Sequence, residues 1–407
     1  MQTVFFHTFG CRTNQYDSES IREQLEQSGY QVTEKYDQSD LCVINSCSVT
    51  AEADRKCRQF VRKVLRSNSQ TRIIVTGCYA TRAPEDLAKI SPRIEIFSNQ
   101  QKKSIAEIVS GCSLVPEHST LIKSFNGRTR AFVKVQDGCD AKCTYCIIPS
   151  VRPIMESRSI LDIKKEIKNL VQQNFKEVVL TGIRLGSYGL TSSGGRVGNN
   201  HGNLVELLKE LMSIDGNFRI RLSSLEITEL TSSLIQLVSQ SSKICPHFHI
   251  PLQSADNTIL KKMGRWYDME EYEERILEMK RILPEAGLTT DVIVGFPGEN
   301  DEHFFNTYHF LEKYFDGLHV FPFSERPGTA AVKLKNRCSP KDKQNRVQKL
   351  LELDLQLRKN FQNRFLGQQR ILLAESDGGF TDNGIRLFPP FPFTEGKMEP
   401  CLIPAAG

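Results

Sequence analysis

Six cysteines carry the chemistry this sequence offers, and they fall into two groups. One is compact: the stretch DGCDAKCTYC, from Asp137 to Cys146, sets Cys139, Cys143 and Cys146 in a C-x3-C-x2-C cluster. The other is dispersed: Cys11, Cys47 and Cys78 each close a short apolar run, TVFFHTFGC, LCVINSC and RIIVTGC. Structural zinc takes four ligands, as a rule in paired cysteine modules, and no fourth nearby Cys or His completes the compact group. A three-cysteine loop suits a [4Fe–4S] cluster with one iron left open to a substrate or cofactor. For the dispersed group the competing reading is three buried thiols, since free cysteine is often fully buried. The other six, Cys42, Cys57, Cys112, Cys245, Cys338 and Cys401, read as bystanders. His247 and His249 alternate on one strand and share a side of it; with no paired acid in the pattern, they read as core or pocket lining.

Composition sets the frame for these residues. The chain has 407 residues, room for two or three domains with separate cores. Charged residues make up 25% and hydrophobic ones 39%, ordinary for a soluble protein. No apolar run approaches the roughly 18–20 residues of a membrane helix. The N-terminus MQTVFFHTFGC lacks a basic n-region and a cleavage site, and it reads as a strand. Twelve cysteines without an export signal point to metal ligation or catalysis in a reducing, cytoplasmic setting, not to a disulfide framework.

The elements that must position the cysteines alternate strand with helix. Thr3–Cys11, Leu41–Cys47, Arg72–Cys78 and Ile94–Asn99 read as strands, with helical stretches at Ser18–Ser28, Ala51–Ser67 and Ala83–Ile90. This predicts an α/β, flavodoxin-like parallel sheet over residues 1–115. In such a sheet the ends of the strands share one edge, where ligands bind. The polar stretch 116–129 reads as a linker. A second series follows in 130–338: Ala131–Gly138, Glu177–Ile183, Phe218–Ser224, His247–Gln253, Thr289–Phe296 and Gly317–Phe323. Six β/α units predict a partial TIM-type barrel, whose working face is the C-terminal end of its strands. Thr191–Asn203 reads as a loop. Residues 339–366 read as one basic helix, and 367–407 as short strands and turns.

The cluster DGCDAKCTYC, with an aromatic before its last cysteine and after a first barrel strand, resembles the radical S-adenosylmethionine superfamily. Coupled to TFGCRTNQYDSE, INSCSVTAEADRK and VTGCYATR, it resembles that superfamily's methylthiotransferase family. LTGIRLGSYG, RLSSLE, PLQSADNTILKKMGR and DVIVGFPGE support the match over most of residues 1–330. INSCSVTAEADRKCRQFVRK is most similar to the members acting on N6-threonylcarbamoyladenosine at tRNA position 37. Other members act on isopentenyladenosine-37 or on an aspartate of a small-subunit ribosomal protein, and these are the alternatives.

The resemblance implies two [4Fe–4S] clusters, an auxiliary one on Cys11, Cys47 and Cys78 and one on Cys139, Cys143 and Cys146 that cleaves S-adenosylmethionine. It implies a 5′-deoxyadenosyl radical that takes the hydrogen from C2 of the adenine, followed by transfer of a methylated sulfur. For the cosubstrate it implies Tyr145, Gly182, Ser224, Gln253 and Gly295. It also implies a tRNA anticodon loop as partner, a reducing donor such as flavodoxin or ferredoxin, no membrane, and a monomer. The sequence departs from the family at Pro153 and Ile154, beside the cysteine loop, and at QSADN. A non-catalytic iron–sulfur sensor, the reading from another class, would need no cosubstrate turns.

Charge is uneven. Residues 331–370 hold eleven Lys/Arg against three acids, a pattern that tracks an RNA backbone or merely solvates a helix face. Lys341, Lys343, Arg346, Lys349, Arg358 and Lys359 are the candidate RNA contacts. The tail, which resembles a shortened TRAM domain, has a net charge of −3, so the helix is expected to contribute more affinity than the tail.

Overall fold

The computed structural model describes residues 2–111, 122, 125, 128–191, 202–388 and 394–406. Most of the expected linker 116–129, the Thr191–Asn203 loop and Cys112 therefore lie outside the described residues. No helix among the described residues is long and apolar enough to cross a membrane.

The N-terminal sheet is five-stranded and wholly parallel, in the order Gln31–Val32, Thr3–Thr8, Leu41–Ser46, Arg72–Gly77, Ile94–Ile96. That 2-1-3-4-5 order is the flavodoxin-like one. The expected strands ending at Cys11 and Asn99 stop three residues early, at Thr8 and Ile96, and Gln31–Val32 adds an unexpected edge. The expected helix at Ser18–Ser28 instead starts at Arg12, directly after Cys11. Ala51–Ser67 is helical as expected, with the Thr50 hydroxyl accepting from the Ala53 amide at 3.2 Å. Such a cap satisfies one of the four free amides that open a helix.

The second unit holds six parallel strands, Arg130–Lys134, Glu177–Thr181, Arg219–Leu222, His247–His249, Gly287–Val294 and Gly317–Pro322. They form two three-stranded sheets in chain order, joined by the parallel bridges Ile220–Ile244 and Ser224–His249. Helices Ile160–Gln172, Leu204–Met212, Ser232–Ser239, Met269–Ile282 and Asp301–Tyr314 connect them. Their apolar faces bury against the strands in one continuous core, which includes Ile167, Val179, Leu208, Ile220, Phe248, Ile276 and Leu288.

The expected long helix spans Pro340–Arg364, capped by Ser339. Leu350, Leu353 and Leu357 join the core of the second unit, and Phe361 packs with the tail. The tail is a four-stranded antiparallel sheet of Gln369–Glu375, Gly378–Thr381, Arg386–Leu387 and Met398–Leu402.

The tail docks at the N-terminal ends of the barrel strands through one carboxylate. Glu177, fully buried, accepts from Arg219 Nε at 2.6 Å and Arg221 Nε at 2.8 Å. Those arginines spend their other N–H groups on tail carbonyls: Arg219 on Ile371 and Phe380, Arg221 on Thr381 and Asp382. Arg130 joins the group and reaches Glu375 at 2.7 Å. Burial alone would push the Glu177 carboxyl up, but the charges of Arg221, Arg219 and Arg130 overcome it and hold the group far below the usual carboxylate range.

Candidate functional site

All three dispersed cysteines lie just beyond the ends of parallel strands and so meet on one edge. Cys11 caps the helix Arg12–Gln27, Cys47 follows Leu41–Ser46, and Cys78 opens the short helix Cys78–Arg82. Their enclosure is tight. A Cβ on Gly10, whose φ is +93°, would stand 2.6 Å from Cys47 Cβ and 2.8 Å from its sulfur. Glycine alone fits that turn. Cys11 remains open to solvent, yet burial raises its thiol pKa, Arg152 opposes the shift and Cys78 adds to it. Burial pushes Cys47 up to about 12, with Cys78 and Cys11 contributing. The three thiols thus line a recess and feel one another.

The compact group sits on a loop docked against the helix Asn257–Met263. Thr144 N–H donates to Met263 O at 2.8 Å, and the Thr144 hydroxyl donates to Lys262 O at 2.8 Å. Gly264, at φ +71°, ends that helix where a Cβ would meet Lys142 O at 2.7 Å. Asp256, in the divergent QSADN, caps the helix by accepting from the Thr258 and Ile259 amides. Two donors already face sulfur: Ala141 N–H to Cys139 Sγ at 3.4 Å and Arg265 Nη1 to Cys143 Sγ at 3.3 Å. Burial pushes the Cys146 thiol up to about 12.

One four-residue helix, Ile148–Val151, joins the two groups. It begins two residues after Cys146, while Ile147 and Val151 pack on Cys78. Asn99 donates to Val151 O at 3.0 Å and lies 3.7 Å from Cys78 Sγ. Arg152 then locks the two units together, donating to Asn14 and Asp17 of the first at 2.8 Å and to Asp137 of the second at 2.6 Å. Lys102 and Lys134 complete the knot on Asp17. Burial would raise the Asp17 carboxyl, but Lys102, Lys134 and Arg152 hold it well below the ordinary range. A second knot joins Arg326 and Arg82 to Asp54 and Ser48. Pro153 and Ile154 face solvent, so the departure beside the cysteine loop leaves its walls intact.

Neither donor set is gathered tightly enough for a single ion. In neither set do all three thiols fall within 4.8 Å of one another, whereas one zinc would gather them to about 3.8 Å. Near the first set, Asn45 Oδ1, Asn99 Oδ1 and Arg152 Nε have no hydrogen-bond partner among the described residues. Buried polar atoms in that state point to something further in the recess.

The expected cosubstrate residues lie at strand ends but differ in character. Gly182 follows Glu177–Thr181, within 3.1 Å of Gln136 Oε1 at its Cβ position. Ser224 is exposed beyond Arg219–Leu222. Gln253 is buried in a left-handed conformation at φ +66°, a strained state for a side-chain-bearing residue. Tyr145 packs edge-on to Phe296 with its hydroxyl 3.5 Å from Arg265 Nη1. The Cβ position of Gly295, at φ +72°, lies 2.8 Å from Lys343 Cδ, so the long helix runs beside that turn.

The helix corrects part of the expected RNA face. Arg346 is buried and paired with Glu299 at 2.5 Å and Asp301 at 2.8 Å, so it holds the helix on the barrel. Lys343 reaches Phe323 O at 3.2 Å, and Arg358 pairs with Asp354. Lys341, Lys349 and Lys359 stay exposed. Sequence reasoning missed Arg152, Asp17, Arg265 and Arg12. Arg12, next to Cys11, is exposed, and burial of its charged group together with the charges of Arg130 and Arg221 lowers its pKa. A cleft of about 640 Å³ lies at the other end, between Pro246, Glu285 and the tail, away from all six cysteines.

Residues 3–99 match the family described as "Uncharacterized protein family UPF0004", and residues 133–311 match the Radical SAM superfamily. The threonylcarbamoyladenosine tRNA methylthiotransferase MtaB of Bacillus subtilis is 36% identical, the alignment covering 100% of this chain and 95% of that one. Its namesake from Aquifex aeolicus is 38% identical over 98% and 100%. Among solved structures, the radical S-adenosylmethionine methyltransferase TsrM from Kitasatospora setae, with cobalamin and a [4Fe-4S] cluster bound, aligns at TM-score 0.59 and 13% identity over 81% of this chain and 77% of that one. That likeness speaks to the fold.

Proposed function

The chain belongs to the MtaB-type radical S-adenosylmethionine methylthiotransferase family, and from that premise we propose that this transferase methylthiolates C2 of N6-threonylcarbamoyladenosine at position 37 of tRNA. The observation that carries the reading is the short helix Ile148–Val151, which begins two residues after Cys146 of one set and packs against Cys78 of the other. Two separate redox sites would need no such strut, whereas a radical made at one set and quenched at the other needs both around one substrate.

Cys139, Cys143 and Cys146 would hold the [4Fe–4S] cluster, and Cys11, Cys47 and Cys78 an auxiliary one, which together with S-adenosylmethionine supply the reductive cleavage and the sulfur. The protein's own contribution is placement and exclusion of water. Arg265 and the Ala141 amide hold the sulfurs of Cys143 and Cys139. Tyr145, Gly182, Ser224 and Gln253 would line the cosubstrate site, with Gly295 shaping the turn beneath the helix. The Arg152 knot seals the recess on one side. Arg12, next to Cys11, gives the site a cationic group suited to a nucleotide. Lys341, Lys349 and Lys359 would meet the RNA backbone outside, and a flavodoxin or ferredoxin would supply electrons.

Mass spectrometry of nucleosides from bulk tRNA tests this, with the protein expressed in a bacterial host lacking its own methylthiotransferases. The expected product is 2-methylthio-N6-threonylcarbamoyladenosine. A methylthiolated isopentenyladenosine would keep the chemistry and overturn the substrate. A relative named tRNA-2-methylthio-N(6)-dimethylallyladenosine synthase, from Syntrophus aciditrophicus, is 34% identical, so that outcome has a precedent in sequence. Neither product, with iron and sulfide fully loaded, would overturn tRNA as the substrate.

A further inference from the structure

One group of three metal-type donors lies outside the cysteine sets. Among the described residues, His249, Asp291 and His319 bring one ligand atom each within 4.8 Å of one another. They come from three adjacent parallel strands, and register explains their meeting. His249 pairs with Thr289, and Asp291 pairs with His319. Side-chain alternation then puts Thr289, Asp291, His249 and His319 on one face. The acid that the histidines lack in sequence arrives from the neighbouring strand, 42 residues on.

The distances match coordination. His249 Nε2 is 3.0 Å and His319 Nδ1 3.2 Å from Asp291 Oδ1. A cation bound to nitrogen and oxygen at about 2.1 Å spaces its donors by about 3.0–3.4 Å. The unused nitrogen of His249, Nδ1, sits 2.9 Å from Thr289 Oγ1. Metal-binding histidines make that outer contact almost without exception, because it fixes the tautomer and the ring. His249 is 8% exposed, while the His319 side chain is 54% exposed. The group is thus closed behind and open in front.

We propose that His249, Asp291 and His319 bind a single divalent transition-metal cation, apart from any cysteine-held cluster, with its remaining positions open to oxygen ligands. Two imidazoles and one carboxylate select Zn²⁺, Mn²⁺ or Fe²⁺ over the hard cations Mg²⁺ and Ca²⁺. The competing use of the same atoms is an ion-free hydrogen-bonded chain in which both rings share Asp291.

The test uses the full-length, cluster-loaded protein under anaerobic conditions. Mn²⁺ binding is read from the electron paramagnetic resonance of the free ion, and Zn²⁺ binding from equilibrium dialysis with metal analysis. One saturable equivalent beyond the cluster iron is expected. His319→Ala and Asp291→Asn should each weaken it by about tenfold or more, and Thr289→Val by a few-fold, with cluster iron and sulfide unchanged. Zinc held by bystander thiols would persist in His319→Ala and is separated in that way. No saturable equivalent of either ion, or equal affinity in wild type, His319→Ala and Asp291→Asn, overturns the site.

Discussion

The two ends of the barrel are closed by the same device, an ion-pair knot, but only one of them gathers thiols. At the tail end, Glu177 gathers three arginines, and Arg219 and Arg221 are answered by tail carbonyls. At the cysteine end, Arg152 gathers Asp17, Asp137 and Asn14 across the boundary between the units, but its Nε, Asn99 Oδ1 and Asn45 Oδ1 stay unmatched. Burial raises the pKa of the Cys11 and Cys47 thiols beside them. His247 Nδ1 is likewise unmatched at the tail end, so what separates the two junctions is the set of thiols gathered at one of them.

This contrast can be broken in several places. The largest effect falls at the cysteine end. On the proposed reading, Cys47→Ala should abolish methylthiolation and remove the auxiliary cluster, seen as a halving of iron and sulfide; full iron in the variant would dismiss the auxiliary site. Next is Glu177→Gln, which leaves three buried arginines without their counter-charge. Unfolding stability should fall by roughly 3–5 kcal/mol, with the tail exposed to limited proteolysis while the clusters stay loaded.

The acid limb reports the same group. The folded carboxyl lies below its ordinary 4.5, so the unfolded chain binds more protons. The contribution of Glu177 is therefore whole above about pH 4.5 and is lost as pH falls through and below that value. Thermal melts from pH 7 to 4 should show a steeper decline in the wild type than in Glu177→Gln. Equal slopes would mean that the carboxylate is not the acid-sensitive part of the junction.

Smaller effects sharpen the picture. Arg265→Gln removes a charged donor from Cys143 Sγ and should lower the reduction potential of that cluster, measured by a redox titration at unchanged iron content. Replacing Lys341, Lys349 and Lys359 with alanine should lower the salt slope of tRNA binding by about three. Arg346→Ala should instead lower the melting temperature, because its partners are Glu299 and Asp301.

Much of this was legible in the chain because it rests on local pattern. Ala51–Ser67 has an apolar stripe and a threonine cap, and the three strand-end cysteines follow β-rich runs. What escaped depends on distant partners. The helix Arg12–Gln27 begins six residues before the expected Ser18, and Asn14, Tyr16 and Asp17 in its first turns are buried by contacts such as Arg152, 135 residues away in the case of Asp17. Arg346 looks like its basic neighbours until Glu299 folds against it. The His249 site needed strand register, which single-strand alternation does not supply.

The short helix Ile148–Val151 also sets an order of assembly. A ribosome releases Cys11, Cys47 and Cys78, and every strand of their sheet, before it makes Ile147, Val151, Arg152 or Arg326. Until those residues arrive, the three thiols stand at an open edge with one wall missing and no Arg152 beside Cys11. The closed form of that recess is therefore a property of the finished chain, and the second half of the protein supplies the wall that the first half lacks.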